Sequence, residues 1–157
     1  LGTRTLALLG RSIPAGDFVS AIRQWNKFSR AVGEFFLTYD VYVTPTMSRP
    51  PVKIGELAFK PAEKIISQVC NALEAGKFLM SIGLVEKIAI ENLAAMPFTQ
   101  LGNLTGMPAM SVPLHWTADG LPVGVQFAAP LGEEARLFRL AARLEEAAPW
   151  FDKRPVI

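Results

Sequence analysis

The side chains able to carry acid–base or nucleophilic chemistry are few. There is one histidine, His115, and one cysteine, Cys70. A serine–histidine–acid arrangement needs a base within hydrogen-bond reach of its nucleophile. His115 follows Ser111 by four residues in a stretch that reads as a strand, which separates their side chains by about 13 Å. That is too far for direct proton transfer, so His115 reads as a strand-end residue beside a turn. Cys70 falls in helical spacing and reads as a buried helix thiol, with no local signature joining it to His115. One histidine and one distant cysteine make no metal-ligand set. The acids Asp17, Asp40, Asp119 and Asp152 are scattered, and Glu133–Glu134 and Glu145–Glu146 read as helix-surface pairs. Gly102, Gly106, Gly120 and Gly124 fit neither glycine-rich phosphate fingerprint. A Ser–Lys enzyme would need a buried lysine base, and none of Lys27, Lys53, Lys60, Lys64, Lys77, Lys87 and Lys153 lies beside a Gly/Ser-rich loop. No complete catalytic set is therefore visible, and neither a metal nor an organic cofactor is expected.

The elements that position these residues follow from composition and period. A length of 157 residues suits one domain. Half of the residues are hydrophobic and only 19% are charged, so part of the apolar surface is expected to face a partner. The net charge of +2 carries no basic block, which argues against nucleic acid. No apolar run is long enough for a membrane span, and no signal peptide is visible. A lone cysteine suits a reducing compartment, so a cytoplasmic location is expected. The chain begins at Leu1 rather than methionine, which suggests a trimmed or fragmentary start.

Residues 17–39 carry apolar side chains at helical spacing (Phe18, Ile22, Trp25, Val32, Phe35), with Asp17 expected as N-cap. Val41–Val43 predicts a short strand stopped by Pro45. The proline-rich residues 44–61 read as a loop. Helical spacing resumes over 62–80, weakened at Gly76, and again over 84–95, with Pro97 opening a further short helix. Residues 109–116 and 121–129 read as strands joined by a turn at Asp119–Gly120, a hairpin spanning 109–129. Residues 132–148 form the last helix, with Leu137, Leu140, Ala141 and Leu144 as its apolar stripe. The order predicts an α/β fold, a mixed β-sheet flanked by helices, in a single domain over 1–157.

One stretch, "NLTGMPAMSVP" at 103–113, joins these elements: Asn103–Pro108 reads as a lead-in bordering a cleft and Ala109–Val112 as a buried strand. "PFTQLGNLTGMPAMSVP" (97–113) and "DGLPVGVQFAAPLGEEARLFRLAARLE" (119–145) resemble the C-terminal portion of the amidase signature family, and "FFLTYDVYVTPTMSRPPVKIG" (35–55) resembles its strand and Thr-Pro loop. The matches cover about two-thirds of the chain, in family order. The resemblance implies an amidase-signature fold and hydrolysis of carbon–nitrogen (amide) bonds by a serine nucleophile, a cis-serine relay and a lysine base. Those residues and the oxyanion-hole amides belong to a Gly/Ser-rich core for which this sequence has no matching run, so no catalytic residue is assigned.

What the resemblance does nominate is a cleft wall: Thr44, Pro45, Thr46 and Met47 at the strand-end loop, and Phe98 and Asn103 ahead of the hairpin. Asn103 is also expected as a helix C-cap. The partners expected are the missing N-terminal catalytic portion, a small amide substrate and, through exposed apolar surface, a second copy of the chain. The rival reading is a non-catalytic interaction or scaffold module derived from an amidase. A self-sufficient enzyme using Ser111 or Cys70 with His115 is the third.

Overall fold

The computed structural model describes residues 2–56, 58 and 60–153. Positions 57 and 59 of the expected 44–61 loop lie outside them. The described residues form helices α1 (Gly2–Ser12), α2 (Ala15–Phe35), α3 (Pro61–Ala72), α4 (Gly76–Ser81), α5 (Leu84–Leu93), α6 (Thr99–Thr105) and α7 (Glu134–Ala147). The strands are β1 (Tyr42–Pro45), β2 (Ala109–Trp116) and β3 (Pro122–Ala128). This is the expected α/β arrangement of a sheet with helices, and the three described strands pair antiparallel in the order β1-β3-β2. Among the described residues no helix is long and apolar enough to cross a membrane.

The chain divides into two compact units. The first comprises the residues before Gln24 together with Val52–Ala94. Its core gathers Leu8, Leu9, Cys70 and Leu79, with Ala75 against them. Helix α1 has no counterpart among the sequence expectations. It is held to α3 by Asn71, whose Nδ2 donates to Thr5 Oγ1 at 2.7 Å and to the Ser67 carbonyl at 2.6 Å. Helix α3 opens on Pro61, and Glu63 Oε2 accepts the Lys60 backbone N–H at 3.0 Å, fixing the first turn. The helix expected over 62–80 is split instead. Glu74 takes a positive φ of 50°, and Gly76 restarts the chain as α4. A Cβ at Gly76 would collide with Ser12 Oγ and come within 2.7 Å of the Leu8 carbonyl, so only glycine lets α4 lie this close to α1.

Helix α2 begins at Ala15, two residues before the expected N-cap. Pro14 opens it, its carbonyl accepting the N–H groups of Asp17 and Phe18 at 3.1 Å, so Asp17 lies inside the first turn, where its charge still complements the dipole. Regular helix stops at Phe35, and the chain continues in turns through Thr38.

The second unit comprises Gln24–Pro51 and the residues after Ala94. Phe35 anchors the approach to β1, stacking on Tyr39 at 4.5 Å and meeting Tyr42 edge-on at 5.7 Å. The β2–β3 hairpin closes where expected: Gly120, at φ 77°, donates its N–H to the Thr117 carbonyl, and Thr117 Oγ1 accepts the Leu121 N–H. Side chains alternate across the sheet. One face places Val112 and Phe127 against Leu137 of α7, with Val125, Leu140 and Leu144 packed around them. The stripe read from the sequence is thus the stripe that docks. Arg136 of α7 also donates to the carbonyl and the carboxylate of Asp40, at 3.1 and 3.0 Å, tying the helix to the entrance of β1.

The expectation that Ala109–Val112 is buried holds only for Val112. Ala109 and Ser111 are exposed, because the pleat turns them to the opposite face. Leu137 is 4% exposed at the centre of the packed face. Leu137→Ala is expected to cost about 2–5 kcal/mol, read as a lowered midpoint in chemical unfolding. An unchanged midpoint would contradict this packing.

Candidate functional site

The face opposite α7 is polar. The register sets Thr44 of β1 beside Gln126 of β3, and Gln126 beside Ser111 of β2, so three hydrogen-bonding side chains cross the sheet in one row. Thr44 and Gln126 are buried. Thr44 Oγ1 and Gln126 Nε2 have no hydrogen-bond partner among the described residues.

One step along, the Thr46 N–H donates to the Gly124 carbonyl at 3.0 Å and continues the ladder past β1. Thr46 Oγ1 and Ser111 Oγ meet at 2.5 Å. These residues belong to segments on either side of β3, nominally about 9.5 Å apart. Their side chains meet because the residue between them is Gly124. A Cβ there would lie 2.5 Å from Ser111 Oγ and 2.7 Å from Thr46 Oγ1.

A cavity of about 470 Å³ opens on this face. Thr46, Ser111 and Gln126 line it from the sheet, and Thr99, Gly102, Asn103, Gly106 and Met107 line it from α6 and the turn after it. Ala109 and Met110 complete the lining, which contains no ionisable side chain. Helix α6 presents this wall because Gly106, at φ 73°, caps it in the left-handed conformation, its N–H donating to the Gly102 carbonyl at 2.9 Å. Asn103 is therefore a residue of the helix rather than its C-cap. Its side chain is exposed at the cavity.

Of the six residues nominated as cleft wall, Thr46 and Asn103 line the cavity. Thr44 sits in the polar row behind it. Pro45 is exposed and pairs with Val125, on the other face of the sheet. Met47 is half-buried beyond β1, and Phe98 is half-buried at the N-cap of α6; neither lines the cavity.

The sequence reading did not nominate Gln126, Ser111, Thr99 or Gly124 for the cleft wall. The available signal was the polar Gln126 between Val125 and Phe127 in an otherwise apolar strand. Its use required the register. Trp116 pairs with Pro122 and His115 with Val123, but Pro113 pairs with Gly124, which leaves Leu114 as a bulge. Counting back from the turn without that bulge would set Ser111 opposite Phe127, on the α7 face. The bulge also puts His115, the neighbour of Val123, on the other face from Ser111. The pair therefore fails as nucleophile and base by direction as well as distance. Cys70 lies in the apolar cluster of the first unit.

The family model for amidases matches residues 15–138. The chain belongs to the amidase family. It is 35% identical over 130 residues to the putative amidase AmiC of Mycobacterium leprae, covering 83% of this chain and 23% of that protein. It is 34% identical over 159 residues to the putative amidase AmiA2 of Mycobacterium bovis, covering all of this chain and 28% of that protein. Its fold superposes on 6-aminohexanoate cyclic dimer hydrolase with a TM-score of 0.72 at 26% identity, over 92% of this chain and 27% of that one. The chain thus spans roughly a quarter of the length of these relatives.

Gly124 supplies a direct test of the wall. Gly124→Ala is expected to destabilise by about 1–3 kcal/mol through overpacking against the two hydroxyls. Part of that cost should vanish in a Ser111→Ala background, giving a non-additive double-mutant cycle in thermal unfolding. Strict additivity would mean that Gly124 and Ser111 do not meet.

Proposed function

We propose that this chain is the part of an amide-bond hydrolase that completes the sheet and walls the substrate cleft. The nucleophilic serine, the relay serine and the lysine base are supplied by residues outside these 157. The observation that carries the reading is the amidase-family match over a segment whose polar sheet face borders an uncharged cavity. The relative whose fold it shares is named as a hydrolase of 6-aminohexanoate cyclic dimer. Further support comes from what Ser111 and Cys70 lack. The only side-chain hydrogen bond described for Ser111 is to Thr46, which is no base, and Cys70 lies among leucines.

In this reading Thr46, Asn103, Ser111 and Gln126 hold the polar part of a substrate while Met107 and Ala109 keep water from it. Fixing the substrate in this way supplies orientation, and the chemistry is done from the opposite side of the cleft. The lone buried thiol of Cys70 fits a cytoplasmic protein. The test is amine release from small neutral amides. The full-length protein should turn them over and the 157-residue chain alone should not. Turnover by the isolated chain would overturn the division of labour.

A second reading, an interaction module, draws on α2, none of whose residues is buried. Phe18, Ile22, Trp25 and Phe28 are between 37% and 55% exposed on one apolar stripe. In this reading the chain self-associates through that stripe. Sedimentation velocity at high concentration should then show a dimer that Trp25→Glu disperses, and a clean monomer would contradict it.

A further inference from the structure

We propose that the groove between α1 and α3 binds an amino carboxylate, a zwitterion whose carboxylate is held by Arg4 and Arg11 and whose ammonium group is held by Glu74. The site lies wholly in the first unit and does not depend on the amidase reading. Three observations carry it.

The first is the form of the groove. A cavity of about 710 Å³ opens there, lined on one side by Arg4, Ala7 and Arg11 of α1 and on the other by Gln68, Asn71 and Glu74. Arg4 and Arg11 are seven residues apart, which puts them on one face of the helix and about 10.5 Å apart along its axis. Ala7 lies between them, and its small side chain leaves the space open. The hydrogen bonds from Asn71 to Thr5 and to the Ser67 carbonyl fix the facing wall against α1.

The second is unpaired charge of both signs. Among the described residues Arg4, Arg11 and Glu74 form no ion pair, and the Gln68 side chain forms no hydrogen bond. Opposite charges that line one cavity without meeting suit a ligand that carries the complement of each. A guanidinium takes a carboxylate through two parallel N–H donors, and a carboxylate takes an ammonium group through charge-assisted hydrogen bonds. A simple anion would satisfy the arginines alone and be repelled by Glu74.

The third is the backbone at Glu74. It is the only non-glycine residue at positive φ among the described residues, at 50°. Glycine takes that conformation without steric cost, and a glutamate does not. Strain of this kind marks functional positions, and here the strained residue is the one acid lining the cavity. The competing arrangement is internal, a side-chain rotation that pairs Glu74 with Arg11.

Calorimetric titration of the full-length protein with 6-aminohexanoate, hexanoate and hexylamine separates these arrangements. The three probes share a chain and carry both charges, the negative one or the positive one. 6-Aminohexanoate is expected to bind about fivefold more tightly than either of the others, the gain of one exposed ion pair. Arg4→Ala should lower its affinity about threefold or more, and Glu74→Gln should reduce it to that of hexanoate. Glu74→Gly should do the same while raising the unfolding midpoint, because it relieves the backbone. Ser111→Ala should leave all three affinities unchanged. Equal binding of 6-aminohexanoate and hexanoate would overturn the proposal, as would no binding of any probe. Unchanged affinity in both Glu74 variants would overturn it in favour of the internal pair. Loss of binding in Ser111→Ala would place the ligand at the sheet face instead.

Discussion

One unpaired residue, Leu114, decides what each face of the sheet does. A strand alternates its side chains with period two, so a single extra residue exchanges faces for everything on its far side. With Leu114 bulged, Val112 pairs with Val125 and shares the packed face with Phe127 and Leu137. Ser111 then falls beside Gln126 and Thr44. The hydrophobic core and the polar wall are two consequences of one register. Burial of Val112, Phe127 and Leu137, each worth about 1.5–3 kcal/mol, resists any slip. The apolar face thus enforces the alignment on the polar one, where hydroxyls and one amide have too little energy to set it themselves.

Much of this unit is legible in the sequence because its signals are local. Asp119–Gly120 between apolar runs marks the hairpin, and Leu137, Leu140 and Leu144 mark the docking stripe of α7. The bulge is not local in that sense. Pro113 removes a ladder donor and hints at irregularity, but which residue leaves the ladder depends on how Val112 and Val125 pack. Face assignments upstream of it, Ser111 among them, were therefore out of reach. Asn103 shows a different limit: it is an acceptable cap residue, yet Gly106, three positions on, reaches the left-handed conformation without steric cost and wins the helix end.

The first unit departs further from the sequence expectations, for tertiary reasons. Residues 62–80 carry helical spacing weakened at Gly76, and α3 and α4 are separate: Glu74 takes a positive φ, and Gly76 packs against α1 too closely for any side chain. Helix α1 has a glycine at position 10 and no strong cap, so its residues gave little warning of a helix. Its order comes from Leu8 and Leu9 in the core with Cys70 and Leu79. In both units a glycine marks a contact between elements rather than a bend within one. At Gly124 the contact brings Thr46 to Ser111, and it is the residue on which the wall of the cavity most directly depends.

The central claim is that the Thr44–Gln126–Ser111 face is the wall of a substrate cleft. A crystal structure of the full-length protein with a slowly hydrolysed neutral amide tests it most directly. A polar atom of the bound substrate is expected about 3 Å from Thr46 Oγ1 or Ser111 Oγ, within hydrogen-bond reach. An amide bound elsewhere, with this face covered by the protein's own polypeptide, would contradict it.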